Sequence, residues 1–185
     1  MILPIYAYGN NVLRKVSEEI EKGYPDLEQL INDMFETMKN ADGVGLAAPQ
    51  IGKNIRIVVI DGNSMSEDYP EMKDFRMTLI NPIIEEEYGD DLTFREACLS
   101  LPRVSDEITR PSKITLTYFD TDWNLHEEEF SGVKARVIQH ECDHLDGKLW
   151  TDRLPQIKRK LIQSKLTKIS KGQVFHNYPM KFHKM

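Results

Sequence analysis

Six consecutive residues, Gln139-His140-Glu141-Cys142-Asp143-His144, constrain this chain more than any other stretch. Positions four apart share one face of a helix, so a helix here lets His140 and His144 bind one ion together. Glu141 follows the first histidine and can reach a water on that ion as a general base, without being a ligand itself. A helix over Lys134–Leu145 is therefore predicted. Two histidines leave a catalytic site one short, because such sites usually combine three protein ligands with one open position. Cys98, Cys142, the other histidines and many carboxylates are candidates for the third. Cys142 lies two residues from each histidine. At about 100° per residue it points to the opposite side, which suits a buried small hydrophobe. Cys98, in Arg95-Glu96-Ala97-Cys98-Leu99-Ser100-Leu101-Pro102 between two strand candidates, fits a ligand or a buried free thiol equally.

Composition supplies no other framework. Two cysteines cannot build a disulfide scaffold, so packing or a metal must hold the fold. The 185 residues are 40% hydrophobic and 29% charged, which provides a sizeable core and excludes a disordered chain. The strongest apolar run, Ile55–Ile60, contains Arg56 and is far too short to cross a membrane. The opening MILPIYAYGNNVLRK has no basic start followed by a long apolar segment. No secretory signal is read there, and a reducing cytoplasm is expected. Charge is uneven along the chain. Residues 156–185 hold eight basic residues, Lys184 among them, and no acid; residues 1–155 hold 16 basic and 30 acidic residues, a net of −14. A solvated helix face followed by a mobile end accounts for such a tail, and contact with nucleic acid is its other use.

No repeat, low-complexity segment or linker divides the chain, so a single domain over residues 1–185 is expected. Leu27, Leu30, Ile31, Met34 and Met38 recur at helical spacing, which predicts a helix over 26–40 with Asp26 as its cap. Gly43 and Gly45 end it and open a loop. Strands are predicted at Asn54–Ile60, Thr78–Ile84, Ser112–Tyr118 and His126–Phe130. Residues 61–76 read as a polar surface loop, 85–91 as an acidic turn and 120–124 as a turn between strands. A last helix runs from about Leu154 to Ser170, with Leu154, Ile157, Leu161 and Ile169 on one face. The sum is an α+β fold, with mostly antiparallel strands packed around a central metal-binding helix and further helices towards each terminus. The glycine loop Gly43-Val44-Gly45-Leu46-Ala47-Ala48-Pro49-Gln50 lacks phosphate-loop spacing and follows no strand, so nucleotide binding is rejected. Its small residues would let a main chain approach a ligand closely, and a helix C-cap followed by a turn is the plainer reading. The final VFHNYPMKFHKM is aromatic and basic, and reads equally as a disordered end or a packing arm.

Taken together, GVGLAAPQ at 43–50, EACLS at 96–100 and QHECDHLDG at 139–147 resemble the peptide deformylase family. That family is marked by a GxGLAAxQ loop, an EGCLS segment and a QHExDHLxG helix. The resemblance extends from NNVLRK at 10–15 to about residue 155. It implies Cys98 as the third ligand beside His140 and His144. It also implies removal of the N-formyl group from the initiator methionine of nascent peptides, releasing formate and a free amino terminus. A metal-bound water is then the nucleophile. Glu141 takes its proton and hands it to the leaving amine. By the family pattern, the oxyanion donors are the side-chain amide of Gln50 and the backbone N–H of Leu99. The peptide is expected to lie extended beside Gly43, Val44 and Gly45 as an added strand. Its methionine side chain is expected among Val44, Val133, Arg136 and Val137. Arg136 is hydrophilic for such a wall, although its stem can pack there.

Fe2+ is the implied native ion, and the same donors accept Zn2+, Ni2+ or Co2+. The implied partners are N-formylmethionyl peptides; separately, the basic C-terminal helix and tail at about 154–185 on an acidic body motivate the hypothesis that this helix docks on ribosomal RNA. Neither a membrane nor DNA is expected as a partner. N-formylation without a transit-like leader points to a bacterial source. Two positions depart from the pattern. Ala97 stands where glycine is usual, which is tolerable unless the backbone needs positive φ. Ser105 stands where many bacterial members carry a substrate-contacting arginine, with Arg103 and Arg110 nearby. Two other readings compete. A zinc endopeptidase usually needs a third His or Glu ligand downstream, where the only histidines are His176 and His183. A noncatalytic metal-binding module of the same fold would have been signalled by loss of Glu141 or Gln50, and both are present.

Overall fold

A computed structural model describes residues 1–183; Lys184, counted above in the basic tail, lies outside the described residues. Five strands form one antiparallel sheet in sequence order: β2 (Gly45–Ala47), β3 (Ile57–Asp61), β4 (Arg76–Cys98), β5 (Leu101–Phe119) and β6 (Leu125–Ser131). β1 (Ile5–Tyr6) pairs separately, in parallel, with β7 (Met180–Lys181). The helices are α1 (Leu27–Asn40), α2 (Gly132–Leu145) and α3 (Gln156–Ser170).

β3 shows why the layers form. Successive side chains of a strand point to opposite faces. Ile57 and Val59 pack with Leu30, Ile31, Met34 and Met38 of α1. Val58 and Ile60 pack with Ala135, Ile138, Cys142 and Leu145 of α2. Both faces are covered, so Ile57-Val58-Val59-Ile60 is apolar throughout, and all four residues are fully buried. The α+β expectation holds, with the sheet as the middle layer between α1 and α2. Burial puts Cys142 in this core and pushes its thiol well above the usual range.

Several local expectations are corrected. Residues 85–91 are not a turn but part of β4, where Glu86, Glu87 and Tyr88 pair with Thr115, Ile114 and Lys113. Pairing across a long hairpin overrides the low strand propensity of acidic residues, whose side chains stay on the solvent side. β5 accordingly begins at Leu101 rather than Ser112. Gly45 belongs to strand β2, so the glycine segment is not simply a loop. Asp26 stands at the start of α1 but has left-handed φ and makes no side-chain cap bond. Residues 61–76 are not wholly a surface loop, because Met72 and Phe75 are buried in the α2-side core.

Leu154, Ile157, Leu161 and Ile169 do not share a buried face. α3 docks through Leu166 and Ile169 against Trp150 and Leu149, which leaves Ile157 and Leu161 76% and 75% exposed. The segment after α3 packs as an arm, held by β7 beside β1. Among the described residues, no helix is long and apolar enough to cross a membrane.

Candidate active site

β4 and α2 deliver the metal-type side chains. β4 ends at Cys98, and one turn of α2 separates His140 from His144. One donor atom from each of Cys98, His140 and His144 lies within 4.8 Å of the other two. Cys98 Sγ is 3.2 Å from His144 Nε2, and the two imidazole centroids are 5.2 Å apart. Burial alone would raise the Cys98 thiol. The imidazoles of His144 and His140 outweigh it and bring the thiol down to about 5. A soft thiolate with two imidazoles is a donor set for a divalent transition metal. Two buried atoms beside it, Glu141 Oε2 and His144 Nδ1, have no hydrogen-bond partner among the described residues. Unpaired buried polar atoms are costly; the Glu141 oxygen fits a site built to hold an ion and a water, while His144 faces Cys98 through Nε2.

A buried ion-pair chain holds this cluster in place. Glu96 lies two residues before Cys98 on β4, and its Oε1 is 3.6 Å from His140 Nδ1. Arg110 of β5 donates from Nε and Nη2 to the two oxygens of Glu96, at 3.0 Å each. Its Nη1 donates to Asp143 Oδ2 at 2.7 Å. Arg153 closes the chain with two 2.8 Å bonds to Asp143. Burial opposes the charge on Asp143, but Arg153 and Arg110 prevail and hold its carboxyl at about 2. A carboxylate on the far nitrogen of a ligating histidine fixes the ring's tautomer and direction. Sequence reasoning missed these supports. Glu96 and Asp143 sit inside the recognised motifs, but Arg110 has no local signal.

A cleft of about 670 Å³ opens over the cluster. Gln50, in the turn Ala48–Ile51, accepts from the Ala47 N–H through Oε1 at 2.9 Å. Its Nε2 therefore faces Cys98 Sγ at 3.4 Å and Ser100 Oγ at 3.2 Å. Leu99 occupies the tight turn between β4 and β5, and its N–H donates to no backbone group among the described residues. Gly43, Val44 and Gly45 form one wall, and β2 is an edge strand that pairs only with β3 among the described residues. Gly45 meets Glu141 so closely that a Cβ there would lie 2.7 Å from the Glu141 Cδ. Val133, Arg136 and Val137 also line the cleft. Arg136 turns its charge away, donating to the carbonyls of Ile108 at 2.6 Å and Leu92 at 2.5 Å. The C-terminal arm also borders the cleft, through residues 175–178.

The polypeptide deformylase family model matches residues 2–160. A peptide deformylase of Cytophaga hutchinsonii is 52% identical over 98% of this chain and 98% of its own length. One from Christiangramia forsetii is 48% identical, over 98% of this chain and 96% of its own. The crystal structure of a peptide deformylase from Legionella pneumophila superposes with a TM-score of 0.81 at 38% identity, covering 94% of this chain and 98% of that one.

The chain belongs to the polypeptide deformylase family.

The activity is that of a metal-dependent hydrolase that removes the N-formyl group from nascent peptides. The two departures from the family motifs now have physical readings. Ala97 is not among the residues with positive φ, so a β-carbon there brings no backbone strain. Ser105 is engaged by Arg95, whose Nη1 donates to its Oγ at 3.2 Å. Arg110 is spent inside the buried ion-pair chain and does not face the cleft as a substitute. Arg103 borders the cleft, with its guanidinium 4.7 Å from the Phe175 ring centroid.

Asp143→Asn removes the shared partner of two arginines. An uncompensated buried charge costs about 3 kcal/mol, to be read by urea unfolding at pH 7. The Asp143 contribution is complete above its ordinary value of 3.8 and is lost as pH falls through about 2. The gap between wild type and variant should therefore narrow on acidification through that window. Equal stability at pH 7 would contradict the role given to the ion-pair chain.

Proposed function

We propose that Cys98, His140 and His144 together hold one divalent metal ion, natively Fe2+, and that Glu141, Gln50 and Leu99 carry out deformylation around it. The observation that supports this most is the buried, unpartnered Glu141 Oε2 beside a thiolate and two imidazoles, under a cleft walled by an open strand edge. A divalent ion on these donors supplies Lewis acidity and makes water acidic enough to attack near neutral pH. Zn2+, Ni2+ and Co2+ suit the same donors.

The remaining work belongs to the chain. The formyl-methionyl peptide adds to the free edge of β2 beside Gly43, Val44 and Gly45. Pairing through backbone groups accepts many sequences. Val44, Val133 and Val137 surround the methionine side chain, and Arg136 contributes its aliphatic stem. Glu141 Oε2 accepts the proton of the attacking water and returns it to the leaving amine. Burial pushes this carboxyl above its ordinary value, against the pull of His140 and His144, which strengthens it as a base. The Leu99 N–H donates to the developing oxyanion. Gln50 Nε2 joins it by turning one N–H from Cys98 Sγ or Ser100 Oγ.

We read residues 1–185 as one catalytic domain working in a cytoplasm. Ribosomal RNA is its docking partner, through Lys160, Lys165 and Lys168 on the exposed side of α3. Lys158 and Arg159 of the same helix are engaged by Asp106 and Asp152.

Fe2+ protein prepared anaerobically should release formate from a formyl-methionyl tripeptide, as should a nickel-loaded sample. Glu141→Ala should lower kcat by roughly 100- to 10,000-fold with metal content retained. Undiminished turnover in the variant would contradict the assignment of Glu141. In a salt-titrated ribosome pull-down, Lys160→Glu, Lys165→Glu and Lys168→Glu combined should release the protein at lower salt than wild type. Equal retention would remove ribosomal docking from the account.

A further inference from the structure

The C-terminal arm lies outside every motif discussed above, yet it borders the cleft through residues 175–178. Its placement is specific. The Ile5 N–H donates to Pro179 O and the Ala7 N–H to Lys181 O, both at 2.9 Å. Asn10 Nδ2 donates to Lys181 O at 3.0 Å, and the His176 ring packs edge-on against Phe182 at 5.3 Å. Anchored in this way, the arm presents Tyr178 to the turn that follows Cys98. Its ring packs on the α1-side core together with the side chain of Leu99, and its hydroxyl donates to the Leu99 carbonyl at 2.8 Å.

We propose that Tyr178 is a positioning residue for deformylation, aiming the Leu99 N–H at the oxyanion by holding the Leu99 carbonyl. This rests on the reading of Leu99 as an oxyanion donor. The turn has only a few fixed points. Cys98 is tied to the donor cluster on the amino side of Leu99. Ser100 is tied on the carboxyl side, accepting from the Tyr8 N–H at 2.8 Å and from Gln50 Nε2 at 3.2 Å. Between them, among the described residues, the Tyr178 hydroxyl is the sole donor to the Leu99 carbonyl. The N–H and the carbonyl of one residue belong to adjacent peptide planes hinged at its Cα, so fixing the carbonyl limits where the N–H can swing. Oxyanion donors act through preorganisation, and a donor free to swing loses most of its effect without any loss of fold. Burial keeps the phenol protonated, which leaves the hydroxyl a donor.

The test uses the full chain loaded with nickel, and compares wild type with Tyr178→Phe on a formyl-methionyl tripeptide. The ring and its packing are kept, and only the hydroxyl goes. Full loss of one oxyanion donor costs about 100- to 1000-fold, so a misaimed one should lower kcat by roughly tenfold. KM and metal content should stay at wild-type values, because the peptide edge and the ligands are untouched, and Tm should fall by no more than the few degrees that one lost hydrogen bond costs. Amide hydrogen exchange at Leu99 in zinc-loaded protein should speed up in the variant. An unchanged kcat overturns the proposal. So does a fall in kcat matched by lost metal or by a Tm loss of about ten degrees or more, which would make Tyr178 merely structural. Wild-type protein that releases no formate overturns the parent reading and this one with it. An active wild type beside an equally active Tyr178→Phe overturns this one alone.

Discussion

Arg110 is the interaction on which the rest of this structure depends. It is fully buried and bridges Glu96 on β4 to Asp143 on α2. Burying a charge is costly unless it is paired and hydrogen-bonded. All three groups therefore have to sit where they do, or the core cannot close around them. Glu96 leads to Cys98 along the strand and faces His140 across the gap. Asp143 precedes His144 on the helix. The same bonds that make Arg110 tolerable in the interior set the strand end and the helix at the separation that brings the three donor side chains together. A hydrophobic substitute could fill the space, but it could not specify that register.

The cleft exploits features that ordinary cores avoid. Among the described residues β2 is an edge strand, a liability for aggregation that is useful if, as proposed, an extended peptide is held there without regard to its sequence. Gly45 brings that edge against Glu141, where even one added methyl group would collide. Glu141 is thus buried, close to the main chain of β2, and its Oε2 has no hydrogen-bond partner among the described residues, which suits the role of base proposed for it. Gln50 is restrained by Ala47 through its oxygen, so its nitrogen faces the donor cluster. On the proposed mechanism little here needs to reorganise, apart from one N–H of Gln50.

What could be read before the fold was known divides by range. The two histidines and Glu141 are readable because helical spacing is local. The placement of Cys142 on the helix side away from the histidines, in the core, follows from the same periodicity. Cys98 is open on its own residues, since nothing within a few positions says whether a buried thiol is a ligand; only the resemblance of three motifs points to it as one. Residues 85–91 misled because an acidic cluster is a turn signal only when no partner strand waits across it. Ile157 and Leu161 misled because apolar periodicity shows that a helix has a face, but not that the fold covers it. Arg110, Arg153 and Tyr178 were invisible for a further reason. Their roles lie in contacts to residues 10 to 79 positions away, and none carries a local pattern.

The central claim is that Cys98, His140 and His144 form one metal site. X-ray absorption on zinc-loaded protein tests it most directly. The account predicts one metal per chain, with one sulfur at about 2.3 Å and nitrogen at about 2.0–2.1 Å. The sulfur shell should vanish in Cys98→Ser. A first shell without sulfur, or one unchanged by Cys98→Ser, would contradict it.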